Sequence, residues 1–289
     1  MSETPPAARW LPAATFADRV AVVTGGGTGL GLEISRGLAA LGARVTILSR
    51  DPEHHRALLD EATREHWHVD ALACDVRESA NVRRAAEAIV AKQGRVDLLV
   101  NNAAGNFVCP AERLSANAWR AVLSIVLDGT FYCSQAFGKA MIAASGGQIL
   151  NVVATYAWTG MPGVVHSASA KAGVLAMTKT LAGEWARHGV RVNAIAPGPF
   201  HSQGAAQNLW PSEEAERAIR ASIPLQRFGT AEDVAAHCLY MLSPACEYVT
   251  GECFVVDGGA SLGRGMWTSG ERFSRTRADA GAVEPDASA

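Results

Sequence analysis

The sequence lacks the features that would direct it to a membrane or to nucleic acid. No apolar run in the 289 residues approaches the roughly 18 residues that a bilayer crossing requires. The formal net charge of −2 gives no electrostatic argument for binding nucleic acid or an anionic membrane. We therefore expect no nucleic-acid partner and no membrane partner.

Targeting signals and a disulfide or metal framework are also missing. The opening MSETPPAARWLPAATFADRV lacks the basic-then-apolar order of a secretory signal, and the closing DASA differs from the peroxisomal S-K-L address. The six cysteines are scattered and form no C-x-x-C pair, which is typical of reduced cysteines in an intracellular protein. The histidines near residues 54 and 66 have no cysteine partners at zinc spacing. We expect a cytoplasmic protein with no metal site.

What the sequence does contain is a regular alternation of short apolar runs with amphipathic stretches. Strands are expected at 19–25, 43–49, 70–76, 95–105 (running into a loop), 147–154, 190–198 and 252–259. Helices are expected at 30–41, 55–65, 80–94, 116–144, 167–188, 212–222 and 230–243. This alternation predicts an α/β fold, a single doubly wound Rossmann-type domain with a mostly parallel seven-stranded sheet. Residues 1–18 would form an N-terminal arm, 19–262 the Rossmann-fold domain, and 263–289 a partly disordered tail.

A glycine cluster, TGGGTGLG at 24–31, directly follows the first expected strand and opens a helix. Glycines in that context let the backbone approach a pyrophosphate at the helix N-terminus, although the spacing differs from G-x-G-x-x-G. The expected cofactor contacts here are Thr24, Gly25, Gly27, Thr28, Gly29, Leu30 and Gly31.

The end of the second strand bears on the choice of cofactor. Ser49 and Arg50 offer a hydroxyl and a guanidinium to a ribose 2′-phosphate, which favours NADP(H) over NAD. Asp51 is better interpreted as a cap for the helix that Pro52 begins. Asp75, after the third strand, could accept from the adenine amino group or cap its own loop.

Several ordered motifs resemble the short-chain dehydrogenase/reductase superfamily over about 17–262. They are TGGGTGLG, NNAAG (101–105), SASAKAG (167–173), RVNAIAPGP (191–199) and VTGECFVVDGG (249–259). The resemblance implies further cofactor contacts from Val76, Asn102, Ala103, Ala104, Lys171, Pro197 and Gly198. Most of that superfamily uses a Y-x-x-x-K pair with an upstream serine and a helix asparagine. Here those positions hold Ser167, Ala154 and Val126, and only Lys171 remains.

These departures resemble one branch, the NADPH-dependent 2,4-dienoyl-CoA reductases of the mitochondrial type. The matching residues are Asn106 after the NNAAG loop, Tyr156 fifteen residues before Lys171, and Ser167 four residues before it. The resemblance implies catalytic roles for all four residues and reduction of an acyl-CoA thioester to 3-enoyl-CoA in fatty acid metabolism. It also implies a homotetramer.

A few interpretations stay open on the sequence. Tyr156 could only pack in its loop, Asn106 could supply a left-handed turn, and Ser167 could be a helix N-cap. The protein could instead reduce another enoyl- or 3-oxoacyl-thioester or a carbonyl, or be a non-catalytic NADP-binding scaffold. The segment 200–217 is the expected lid. Further candidates are Trp158 and Trp210 for packing or acyl contacts, and Arg113, Arg217 and Arg220 for CoA phosphates.

Overall fold

The computed structural model describes residues 4–201 and 212–262. Its centre is one sheet of seven parallel strands in the order β3-β2-β1-β4-β5-β6-β7. The strands are β1 Val20–Thr24, β2 Arg44–Ser49, β3 Val69–Ala73, β4 Leu98–Asn101, β5 Gly147–Val152, β6 Val190–Pro197 and β7 Cys253–Val256. The predicted doubly wound α/β fold is confirmed, with every pairing in the sheet parallel.

Helices connect the strands and cover the sheet. They are α1 Gly29–Ala40, α2 Glu53–Glu65, α3 Ser79–Gln93, α4 Ala116–Leu123, α5 Gly129–Ala143, α6 Tyr156–Thr159, α7 Val165–Trp185, α8 Glu213–Ser222 and α9 Ala231–Leu242. Among the described residues, no helix combines the length and the apolar character that crossing a membrane requires.

The central strands β1 and β4 are buried on both faces, which explains why they are continuous apolar runs, whereas Phe254 and Val255 on the edge strand β7 are exposed. Along β1 successive side chains alternate between the faces. Ala21 and Val23 join a core with helices α1 and α9, whereas Val20 and Val22 join a core with α3 and α5. Val20 to Val23 are completely buried, because helices cover both sides.

The long helix expected at 116–144 is interrupted, which corrects that prediction. Between α4 and α5 the chain makes one wider π-helical turn, Ser124–Asp128, with Val126 buried at its centre. The Thr130 hydroxyl donates to the Val126 carbonyl at 2.6 Å. A π turn inserts one residue into the helix and shifts the faces of the turns that follow.

The chain before β1 packs on the domain. The short 3₁₀ turn Pro6–Ala8 lies against α1 and α9. Ala7 in the turn and Phe16 farther along the chain are both buried. The predicted tail at 263–289 and most of the predicted lid at 200–217, including Trp210, lie outside the described residues.

The order of the strands reverses at β1. The chain proceeds from β1 outward through β2 to β3, then returns to place β4 on the other side of β1. In such sheets a crevice forms at the carboxyl ends of the strands where the order reverses, and ligands bind there.

Candidate active site

A cleft of about 1470 Å³ lies at the carboxyl ends of the strands. Its walls come from the loops after β1 to β6, and most residues expected to bind the cofactor or act in catalysis line it. These are Gly25, Thr28, Gly29, Leu30, Ser49, Arg50, Asp75, Val76, Asn102, Ala103, Ala104, Asn106, Tyr156, Lys171, Pro197 and Gly198. Four other expected residues, Thr24, Gly27, Gly31 and Ser167, do not line it directly.

Thr24 holds two loops of the cleft together from beneath. Its buried hydroxyl accepts from the backbone N–H groups of Asn102 and Ala103, both at 3.0 Å. The Asn102 amide in turn donates to the carbonyls of Thr24 and Gly25, both at 3.1 Å. Thr24 therefore positions the cleft, and Asn102 fixes the first turn of the glycine loop.

The glycine loop is shaped by close backbone contacts. Gly25 has a φ of +62°, and a Cβ on Gly31 would lie 2.1 Å from the Gly25 carbonyl oxygen. A Cβ on Gly27 would lie 1.9 Å from the backbone oxygen of His54. Thr28, Gly29 and Leu30 line the cleft where α1 begins. This cradle of glycines and helix N–H groups fits a dinucleotide pyrophosphate.

Beside the glycine loop, the residues after β2 form a corner suited to a ribose. The Ser49 hydroxyl lies 2.7 Å from Nε2 of the buried His55 and 3.0 Å from the Asp51 carbonyl oxygen. The Asp51 carboxylate accepts from the Glu53 N–H at 2.9 Å. Helix α2 begins at Glu53 with Pro52 as its N-cap, so the prediction of Asp51 as the cap of a helix that Pro52 begins is wrong by one residue. Arg50 lines the cleft here, where it can meet a ribose phosphate.

Asp75 stays within its own loop. Its carboxylate pairs with Arg77 and also accepts from the Arg77 backbone N–H at 3.1 Å. The hydrogen bonds from Arg77 lower the pKa of Asp75. Of the two predicted roles, capping the loop is the one these hydrogen bonds support, although Asp75 also lines the cleft.

After β5, three positions from β2 in the sheet, three polar side chains meet. The Tyr156 hydroxyl lies 3.1 Å from Oγ of Ser167, and the Asn106 amide donates to it at 3.5 Å. The side-chain oxygen Oδ1 of Asn106 accepts from the Phe107 N–H at 2.9 Å, which turns the side-chain nitrogen Nδ2 toward Tyr156. Burial raises the pKa of Tyr156, so the phenol stays protonated and can donate a hydrogen bond.

Lys171 lies close by on α7. Its side chain is buried, and Nζ donates to the carbonyl oxygen of Val152 at 2.5 Å. Burial lowers the pKa of Lys171 to about 8. Lys171 therefore lines the cleft with its amino group held in place by the hydrogen bond to the end of β5.

Comparison with known proteins agrees with this geometry. A family model described as "Enoyl-(Acyl carrier protein) reductase" matches residues 25–261. A short chain dehydrogenase structure from Bacillus anthracis is 45% identical, covers 88% of this chain and 100% of its own, and has a TM-score of 0.77. The chain is a member of the short-chain dehydrogenase/reductase family.

Curated relatives and a second structure add detail. A Bacillus subtilis protein named "Probable 2,4-dienoyl-CoA reductase [(2E)-enoyl-CoA-producing]" is 44% identical over 84% of this chain and 97% of its own. The Danio rerio "Peroxisomal 2,4-dienoyl-CoA reductase [(3E)-enoyl-CoA-producing]" is 39% identical over 86% and 83%. A gluconate 5-dehydrogenase from Burkholderia cenocepacia, solved with NADP and tartrate, is 31% identical over 86% and 97%, with a TM-score of 0.82. Membership of this family supports binding of a nicotinamide cofactor.

Within this short-chain dehydrogenase/reductase, two of the alternative interpretations are wrong. Helix α7 begins at Val165, so Ser167 lies inside its first turn and is not the N-cap. Among the described residues, those with a positive φ do not include Asn106, so Asn106 does not supply a left-handed turn. The third alternative, that Tyr156 only packs in its loop, does not account for its hydrogen bond with Ser167.

Other predicted residues lie away from the cleft wall. Trp158 is exposed on α6. Arg217 and Arg220 pair with glutamates on their own helix, and Arg113 ends a short 3₁₀ turn. None of these four lines the cleft among the described residues.

The cleft also includes residues that were not predicted. Val108, Ile125, Met161, Pro162 and Val164 line it near Tyr156 and give that end an apolar wall. The backbone N–H of Cys109 donates to the Gly163 carbonyl at 2.8 Å, which joins the loop that carries Val108 to the loop that carries Met161, Pro162 and Val164. Apolar loops after strands are common, so the sequence alone gave no signal to select these residues.

Proposed function

We propose that the protein reduces 2,4-dienoyl-CoA thioesters to 3-enoyl-CoA with NADPH. The observation that carries this proposal is the group of Asn106, Tyr156 and Ser167, hydrogen-bonded together beside Lys171. The group shares one cleft with the glycine loop, so a bound thioester and a bound nicotinamide would meet there.

The two neutral donors suit a thioester oxygen. Reduction of a conjugated dienoyl thioester moves negative charge onto that oxygen as a dienolate forms. Hydrogen-bond donors aimed at the oxygen stabilise the charge only as it develops, typically by about 3 kcal/mol each. The Tyr156 hydroxyl and the Asn106 amide would supply this stabilisation, while Ser167 orients the phenol.

Lys171 would act on the cofactor side. When bound, NADPH supplies the hydride, and Lys171 would donate to the hydroxyls of its nicotinamide ribose. The Val152 carbonyl already takes one of the three ammonium hydrogens, and that bond aims the remaining two. The positive charge also favours a developing anion nearby.

The proton step follows from what the site lacks. A ketone needs a proton delivered to its oxygen, usually by a Y-x-x-x-K tyrosine, and that helix position is Ser167. A dienolate can collect its proton at carbon afterwards, from water. Protonation at the α carbon gives the 3-enoyl product that we propose, whereas protonation at the γ carbon gives the 2-enoyl product in the Bacillus subtilis relative's name.

The preference for NADPH rests on Arg50. Arg50 lines the ribose corner, while the Asp51 carboxylate accepts a hydrogen bond from the Glu53 N–H at the start of α2. An acidic group in that corner would otherwise accept from the 2′-hydroxyl of NAD. We also propose that the enzyme is a cytoplasmic homotetramer and serves the oxidation of unsaturated fatty acids.

One experiment tests the reaction. NADPH and NADH consumption would be followed with a medium-chain 2,4-dienoyl-CoA and with the matching 2-enoyl- and 3-oxoacyl-CoA esters. NMR of the product would identify the double bond that remains. We expect turnover of the dienoyl ester with NADPH and a 3-enoyl product. Turnover of only the other esters would refute the dienoyl assignment and leave the fold and cofactor unchanged.

A second candidate is a reductase of another enoyl- or 3-oxoacyl-thioester or of a carbonyl. The description of the matching family model and the similar gluconate 5-dehydrogenase favour it. In that case Tyr156 would donate a proton directly. A non-catalytic NADP-binding scaffold would bind NADPH and turn over none of the esters, but such a protein needs no group of donors at the nicotinamide end.

A further inference from the structure

His54 stands beside the corner where the ribose phosphate of NADPH would lie. It lines the cleft together with Ser49, Arg50 and Asp51, and its side chain is 53% exposed. Its backbone oxygen packs against Gly27, so the glycine loop fixes the first turn of α2 in this place. The His54 ring is therefore held at the rim of the cofactor site without being locked in the core.

The charges around this corner leave room for another cation. Arg50 and Asp51 are neighbours in the chain, and the Asp75 carboxylate is paired with Arg77. The titratable and charged groups near His54 are Arg50 and Asp51 from the loop after β2, Glu53, His55 and Arg56 from α2, and Asp75 and Arg77 from the loop after β3. A 2′-phosphate carries close to two negative charges at neutral pH, and Arg50 alone cannot neutralise both.

The two adjacent histidines differ in what they can do. His55 is buried against the Ser49 hydroxyl, and burial lowers its pKa, which keeps its ring neutral. His54 instead faces the cleft, with Nε2 4.0 Å from the Asp51 carboxylate. A neutral imidazole donates from one ring nitrogen, whereas an imidazolium donates from both, and each of its hydrogen bonds to a phosphate is strengthened by charge.

We propose that His54 is a specificity-determining residue that binds the 2′-phosphate of NADP(H) in its protonated form. Binding of NADP(H) would then take up part of a proton from solvent, while binding of NAD(H) would not. This inference rests on the proposed use of NADPH. The preference for NADP(H) over NAD(H) would then decrease as the pH rises above neutral.

Calorimetric titration of NADP⁺ and NAD⁺ measures the inference without turnover. Between about pH 7 and pH 8.5, where the 2′-phosphate keeps close to two negative charges, we expect the Kd for NADP⁺ to rise about fivefold, while the Kd for NAD⁺ stays nearly constant. Titrations at one pH in two buffers of different ionisation enthalpy would show proton uptake for NADP⁺. The H54Q variant should lose both the proton uptake and the pH dependence.

Two further variants separate the outcomes. The control H68Q removes an exposed histidine at the opposite, amino end of the strands and should behave as the wild type. R50Q should weaken NADP⁺ binding at every pH. Tight NADP⁺ binding with a pH dependence that persists in H54Q would overturn the role of His54 and leave the cofactor assignment intact. Tighter binding of NAD⁺ than of NADP⁺ would instead refute the proposed cofactor.

Discussion

Replacing Tyr156 with Phe removes a single oxygen from the candidate site. The lost hydroxyl lies 3.1 Å from Ser167 Oγ and 3.5 Å from the Asn106 amide, and the ring itself is retained. Removing one donor from an oxyanion site lowers kcat by about 100- to 1,000-fold. The hydrogen bonds lost in the resting enzyme amount to about 1 kcal/mol of stability. We therefore expect Y156F to fold and to turn over slowly.

The assay compares kcat, the Kd of NADPH and the unfolding midpoint in the same preparations. Tyr156 stands at the nicotinamide end, away from Arg50, so the Kd of NADPH should change less than threefold. Tyr240 on α9 is a matched control, because it is partly exposed and does not line the cleft. Y240F should retain wild-type kcat, which would exclude a general effect of removing a phenol.

Asn106 provides the second half of the test. If both side chains donate to the same oxygen, then N106A and Y156F should cost less together than the sum of their separate effects. Full kcat in Y156F would refute the displaced-tyrosine mechanism. So would a loss of activity that simply parallels a loss of folded protein.

The remaining predictions concern stability and pH. G27A should lower the free energy of unfolding by about 3 kcal/mol or more, because its Cβ would lie 1.9 Å from the backbone oxygen of His54. G183A, on an exposed and open stretch of α7, should raise it by about 0.5 kcal/mol. Urea unfolding measures both changes. D97A should lower the free energy of unfolding by about 2 kcal/mol in the same assay, because the buried carboxylate accepts from the Val20 N–H at 2.8 Å. D70A, which removes the exposed ion pair with Lys92, should lower it by under about 1 kcal/mol. Burial lowers the pKa of Lys171 to about 8 from 10.5, so below pH 8 the folded protein buries a charged lysine at a cost in stability. This cost disappears as the pH rises from 8 toward 10.5. The wild type should therefore gain up to about 3 kcal/mol relative to K171M across that range, and a constant difference in unfolding free energy would contradict the assignment.

The fold was predictable because its signals are local. Seven short apolar runs, separated from one another by helical patterns, allow few arrangements other than a parallel doubly wound sheet. The interruption at Ser124–Asp128 was not predictable, because a π turn has no compositional mark. The turn is followed by Gly129, where a Cβ would lie 2.8 Å from a Val76 methyl group, and that contact joins parts of the chain far apart in sequence.

The sequence was a better guide to which residues form the site than to what each of them does there. The glycine loop and the residues after β2 line the cleft because strand ends in a parallel sheet meet at one edge. Thr24, Gly27 and Gly31 lie behind that wall, and each is explained by a contact inside the protein. Sequence spacing cannot separate a glycine needed by a ligand from one needed by a neighbouring backbone oxygen.

The displaced tyrosine shows why spacing along the chain was insufficient for the catalytic group. Tyr156 and Ser167 are eleven residues apart, yet their oxygens lie 3.1 Å apart, because the chain between them folds back on itself. Gly160 and Gly163, with φ values of +65° and +84°, make that reversal possible. A serine at the helix position leaves room for a phenol to enter from the loop. We infer that the site keeps a phenolic oxygen within reach of Ser167 and Asn106 while delivering it from another direction.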